Sequence, residues 1–174
     1  MDAQLRTFKS ERGTTLIETV IATALLLVVM VGLLGMAALA TVYTENHGHL
    51  EARTTEYAQD KMEQLQALAY TDVVGNTVVF PAAATGGTGL GPGGGIDTAS
   101  PVNGYVDWLA YDGTLLGGGT TPPTGWFYKR VWQISNNTPS AGLKRMTVVA
   151  TVRSSVGHAF IPKSTVVTLK ASQF

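Results

Sequence analysis

From Leu16 to Ala40 the sequence is apolar or small at nearly every position, and Glu18 is the only charged residue in the interval. A run of about 25 residues makes a helix of roughly 37 Å, enough to cross a bilayer core of about 30 Å. The pattern then acquires a period. Leu50, Tyr57, Ala58, Met62, Leu65, Leu68 and Ala69 recur near every 3.6 residues, and Glu51, Arg53, Glu56, Asp60, Lys61 and Glu63 fill much of the remainder. This predicts an amphipathic helix with one covered face. Joined, the two halves predict a near-continuous helix from about Thr15 to Ala69, roughly 80 Å long.

Beyond Thr71 neither period holds. Residues 71–125 are Gly-rich and contain Pro81, Pro92, Pro101, Pro122 and Pro123. Short β-like pieces at Thr77–Phe80 and Tyr105–Tyr111 interrupt them, and Ala82–Gly95 is expected to hold little regular structure. From Trp126 the period becomes two, with β-branched and aromatic residues, the mark of half-buried strands. Trp126–Ser135 is expected to place Trp126, Tyr128, Trp132 and Ile134 on one face, with Arg130 as an exception. Lys144–Arg153 sets Met146, Val148, Ala150 and Val152 opposite Arg145, Thr147 and Thr151. Ser164–Ala171 is a third, Val/Thr-rich strand. Asn136–Gly142 reads as a turn between the first two, and Gly157 and Pro162 bound the connection between the last two.

The expected fold is therefore α+β: a long N-terminal transmembrane helix continues into an amphipathic helix that packs on a C-terminal antiparallel β-sheet. The expected segments are a basic leader (1–13), a transmembrane half (14–40), an amphipathic half (41–70), a variable region (71–125) and a β-meander (126–174).

Composition narrows the function classes. Charged residues are only 14% of the chain and the formal net charge is zero, so nothing argues for a nucleic-acid partner. The absence of Cys excludes disulfides, thiolate metal sites, Cys nucleophiles and lipid attachment at Cys. Gly89, Gly91 and Gly94 satisfy a dinucleotide-binding spacing formally, but no strand-to-helix context surrounds them and Pro92 sits inside. Asp97, Asp107 and Asp112 lack the dense oxygen-ligand spacing of a calcium loop. His47 and His49 point to different helix faces. Asn136-Asn137-Thr138 is a formal glycosylation triplet in a turn. No nucleophile elbow or His-containing constellation is present. The expectation is no catalytic site, no metal and no cofactor.

Arg6, Lys9 and Arg12, diluted by Asp2 and Glu11, precede the apolar run and place the N-terminus on the cytoplasmic side. Glu18 is the costly residue: a carboxylate costs about 2.5 kcal/mol or more at the centre of a span and less near its edge. It either snorkels to the headgroups or meets a positive charge from a neighbour. Two cleavage readings compete. Ala38-Leu39-Ala40 is an A-x-A pattern that would make Thr41 the mature N-terminus of a secreted binding or hydrolytic domain, although the run exceeds an h-region of about 7–15 residues.

The second reading is a resemblance. Glu11-Arg12-Gly13-Thr14-Thr15-Leu16-Ile17-Glu18 is similar to the junction of type IV prepilins and type II secretion pseudopilins. There a Gly ends a basic leader, an apolar stretch begins at once, and a Glu follows four residues after the new N-terminus. The resemblance implies that a prepilin peptidase cuts after Gly13 and methylates the amine of Thr14. The usual first mature residue is Phe or Met, where this chain has Thr14. Glu18 would pair with that amine on an adjacent subunit and set axial register, a better use of a low-dielectric ion pair than stability.

Val31–Leu39 and Ala58–Leu68 resemble the helix of PilV-type minor pilins and I-type minor pseudopilins, implying a low-copy subunit. The implied partners are the peptidase, other pilin or pseudopilin subunits and inner-membrane lipid. The implied location is a bacterial inner membrane, spanned once, with the head periplasmic, and the filament once assembled. Gly32 and Gly35 each cost about 1 kcal/mol in a helix interior. They read either as small residues for close packing or as a point where the helix stretches during assembly. Major pilins often carry Pro where Gly35 stands.

Overall fold

The computed structural model describes residues 15–79, 87–154 and 161–172. Among the described residues one helix and six strands follow in order: α1 (Leu16–Ala67), β1 (Gly93–Gly94), β2 (Val106–Leu109), β3 (Leu115–Gly118), β4 (Tyr128–Asn136), β5 (Leu143–Val152) and β6 (Lys163–Ala171). The architecture is α+β. The chain divides into two compact units, one ending at Val42 and one beginning at Tyr43.

The first unit is the apolar part of α1. Thr15 starts the helix: its Oγ1 accepts the backbone N–H of Glu18 at 3.4 Å. Thr15-Leu16-Ile17-Glu18 is thus a Thr-x-x-Glu capping sequence with Glu18 at its third helical position. The helix runs unbroken through Gly32 and Gly35, where an added Cβ would meet nothing within 4 Å.

The second unit is the head, in which residues 43–67 of α1 lie on one face of an antiparallel sheet. The strand order is β3-β2-β4-β5-β6, and β1 pairs with β4 beyond the reach of β2. The helix buries Leu50, Thr54, Tyr57, Ala58, Lys61, Met62 and Leu65. Against them stand Tyr128, Trp132 and Ile134 of β4 and Met146, Val148, Ala150 and Val152 of β5. These are the alternate positions expected of half-buried strands. The opposite face of the sheet carries a smaller cluster of Val106, Trp108, Val131 and Val149, with Trp126 packed on it.

Three expectations need correction. Trp126 lies on this second cluster, its ring 4.8 Å from that of Trp108, and not on the face of Tyr128; it precedes the first residue of β4, so strand alternation does not reach it. Thr77–Val79 is a series of bends, because Asp72 and Asn76 side chains accept the N–H groups of Val74, Gly75 and Val78 in place of a ladder. Phe80, the end of that piece, lies outside the described residues. The described part of Ala82–Gly95 holds little regular structure, as expected, apart from the two-residue β1, whose position was not expected. At Gly94 (φ +77°) an added Cβ would lie 2.1 Å from the Trp132 carbonyl oxygen, so only Gly allows the chain this close to β4. β3 was not expected either, since Leu-Leu-Gly-Gly has neither alternation nor β-propensity.

Candidate functional site

Two features distinguish the chain. The first is the surface of α1 from Leu16 to Val42. Every large apolar side chain from Leu16 to Tyr43 is between 47% and 84% exposed. Covering one Val, Leu or Ile is worth about 1.5–3 kcal/mol, so water is an unfavourable surrounding for this surface. Among the described residues it is the one helix long and apolar enough to cross a membrane. Glu18 sits exposed in its first turn, without an ion pair among the described residues. Gly32 and Gly35 lie in the same segment, and Gly13 and Thr14 lie outside the described residues.

The second feature is an ionic cluster buried inside the head. Lys61 of α1 and Asp107 of β2 are both fully buried and meet at 2.7 Å. Arg130 of β4 is Asp107's cross-strand neighbour and grips it with two hydrogen bonds, Nε to Oδ1 at 2.7 Å and Nη2 to Oδ2 at 2.9 Å. Its Nη1 reaches Asp60 at 2.7 Å, and Asp60 is half exposed. Two cations thus meet two anions, and the cluster ties the helix to two strands. Lys61 also donates to the Thr77 carbonyl and lies 4.3 Å from the centre of the Trp132 ring.

The electrostatics follow from burial and pairing. Burial alone would raise the Asp107 carboxyl, but Lys61 and Arg130 together hold it below its ordinary value. Burial pushes the Lys61 ammonium below its ordinary value, with Asp107 opposing. Burial works against the Arg130 charge, and Asp107 and Asp60 outweigh it. These are the terms of a structural clasp: the Asp107 carboxylate is fully buried and held by both cations at once.

No family model, no curated protein and no solved structure matches this chain. Its function rests on its own residues.

The sequence reading placed Lys61 among the solvent-facing charges; it is instead at the middle of the buried stripe. Thr54, Ala58, Lys61, Leu65 and Leu68 follow a four-three spacing, so the period itself points Lys61 inward. Together with Arg130 on an apolar strand face, that spacing calls for a buried acid, and Asp107 supplies it. Asp107 is therefore committed to the clasp and not to a calcium ion. Asp97 and Asp112 accept the N–H groups of Ala99 and Thr114. Among the described residues no cluster of three metal-ligating side chains occurs.

Two further lysines finish the head. Lys170 of β6 donates to the carbonyls of Gln66 and Leu68, and Lys144 of β5 to those of Tyr70 and Leu90. Lys170 thereby meets the C-terminal end of α1, whose own last turn has no basic residue, and Lys144 ties down the segment that follows it.

Proposed function

We propose that this chain is a structural subunit of a type IV pilus or pilus-like filament, a minor subunit akin to PilV-type pilins or I-type pseudopilins. The observation that carries the proposal is the exposed apolar stretch of α1 running without a break into a helix half that a sheet covers. A chain with this surface needs lipid before assembly and neighbouring helices after it, and an inner membrane followed by a filament core supplies both.

In this reading the prepilin peptidase removes Met1–Gly13 and methylates Thr14. The apolar half of α1 spans the membrane once, with the N-terminus cytoplasmic and the head periplasmic. Glu18 of one subunit meets the new amine of its neighbour. The same chemistry serves a type II secretion pseudopilus. The reading in which a signal peptidase cuts after Ala40 is less favoured, because Ala38–Ala40 lies within α1 and such a cut would sever the helix.

The capping position of Glu18 makes its role separable. Glu18→Gln keeps a residue that serves at the third position of a capping box and removes the charge. Processing is expected to be unchanged, with recovery in sheared filaments down about tenfold or more, the factor for each 1.4 kcal/mol of a lost pairing. Recovery equal to that of the unmodified chain would contradict the ion-pair role.

A further inference from the structure

The strand order of the head ends on β6, and two hydrogen bonds fix which of its peptide groups point off the end of the sheet. The Ser172 N–H donates to the Gly142 carbonyl, and the Arg153 N–H to the Phe127 carbonyl. Bonded pairs alternate along an antiparallel ladder. With the registers of β4, β5 and β6, both bonds turn the backbone groups of Lys144, Met146, Val148 and Ala150 toward Lys170, Thr168, Val166 and Ser164. Lys163, Thr165, Val167, Leu169 and Ala171 therefore present N–H and C=O to the open side. The row is about 27 Å long with a repeat of about 7 Å. Among the described residues no strand pairs with it and no hydrogen bond from a turn, loop or cap reaches it.

An edge of this length is ordinarily blunted by a bulge, a proline or charges along it. The register of β6 is unbroken over nine pairs. No Pro lies within the strand, and Ser164–Leu169 carries no charge. Lys170 is turned onto the carbonyls of Gln66 and Leu68, which leaves Lys163 as the one charge at the edge.

The two faces of the edge differ in chemistry. On the helix side Ser164 meets Thr54 and Thr55, and Thr168 meets Gln66; all are polar and uncharged. On the outer side Val167 and Leu169 are about half exposed. Lys163 stands at one end of this apolar pair and Arg145, the ladder partner of Leu169, at the other; both cations are exposed. Arg145 is two strand spacings, about 10 Å, from a strand added beyond β6, within the combined reach of an Arg and a Glu side chain.

A row of alternating donors and acceptors at this repeat is matched by another extended backbone. We propose that β6 receives an extended segment of a different protein, which joins the sheet beyond it. The segment carries apolar side chains beside Val167 and Thr165, acidic ones near Lys163 and Arg145, and hydroxyl side chains toward α1. Main-chain hydrogen bonds supply the affinity and the alternating side chains the specificity. The inference uses the head alone, so it stands or falls separately from peptidase processing.

The test uses the full chain in detergent micelles and, as probe, the end-capped peptide Glu-Thr-Val-Ser-Ile-Thr-Glu. Hydrogen exchange is read residue by residue. In the chain alone the amides of Thr165, Val167 and Leu169 should exchange fast and those of Val166 and Thr168 slowly. The peptide should slow the first set. Methylating the Val and Ile nitrogens of the peptide, which face β6, should weaken binding about tenfold; methylating the Thr and Ser nitrogens, which face solvent, should not. Replacing both Glu by Lys should weaken it too. Val167→Pro removes an outward N–H and spares the β5 ladder, so it should abolish binding with Val166 and Thr168 still protected. Failure of millimolar peptide to slow the first set overturns the proposal, as does binding indifferent to charge or to which nitrogens are methylated. Protection of the first set in the chain alone, or on raising the protein concentration, also overturns it, since the chain itself or a second copy then covers the edge.

Discussion

Removing the Asp107 carboxylate would leave Lys61 and Arg130 buried without their shared partner. Asp107→Leu is therefore expected to cost about 3–5 kcal/mol, measured by urea unfolding of the full chain in detergent. Lys61→Met should cost less, since Arg130 still holds Asp107 with two hydrogen bonds. The Asp107 carboxyl lies below its ordinary value of 3.8 in the folded state. Between 3.8 and that lower value the unfolded chain binds more protons than the folded one, so stability falls as pH falls through this window and is fully present above it. Acid titration of the unmodified chain should show the loss, and Asp107→Leu should flatten it. At this scale the sequence was half legible. Arg130 stood out as a charge on an apolar face and Lys61 fitted the buried period, but nothing local marks Asp107 as their partner, because the contact joins elements far apart in the chain.

Leu65 is fully buried between helix and sheet, so Leu65→Ala should cost about 2–5 kcal/mol; a cost below about 1 kcal/mol would contradict the packing of α1 on β4 and β5. Lys170 acts on the end of the same helix. Lys170→Ala should weaken its last turn by about 0.3–1 kcal/mol at low salt, read as faster amide exchange just before Ala67 with β4 unaffected. Where apolar periodicity was strong the elements were readable: α1 and β4–β6 lie within a few residues of their expected places. The strands it missed, β1 and β3, are held by close approach of glycine backbone to a neighbour, which leaves no side-chain pattern. Trp126 went to the other face because alternation is a property of the strand, and β4 begins two residues later.

For the molecule as a whole, the long apolar surface of α1 and the covered sheet were both legible, because each rests on a repeated pattern. The filament reading joins these features: lipid or neighbouring helices for the apolar half, a rigid head held by the clasp, and Glu18 at the edge of the span. It makes Gly13–Thr14 the point where the chain becomes a subunit. The most direct measurement is the intact mass of the protein purified after co-expression with a prepilin peptidase. The expected product has lost Met1–Gly13, begins at Thr14 and carries one added methyl group. A mature N-terminus at Thr41, or an uncut chain beside a peptidase that processes its own pilin, would contradict the account.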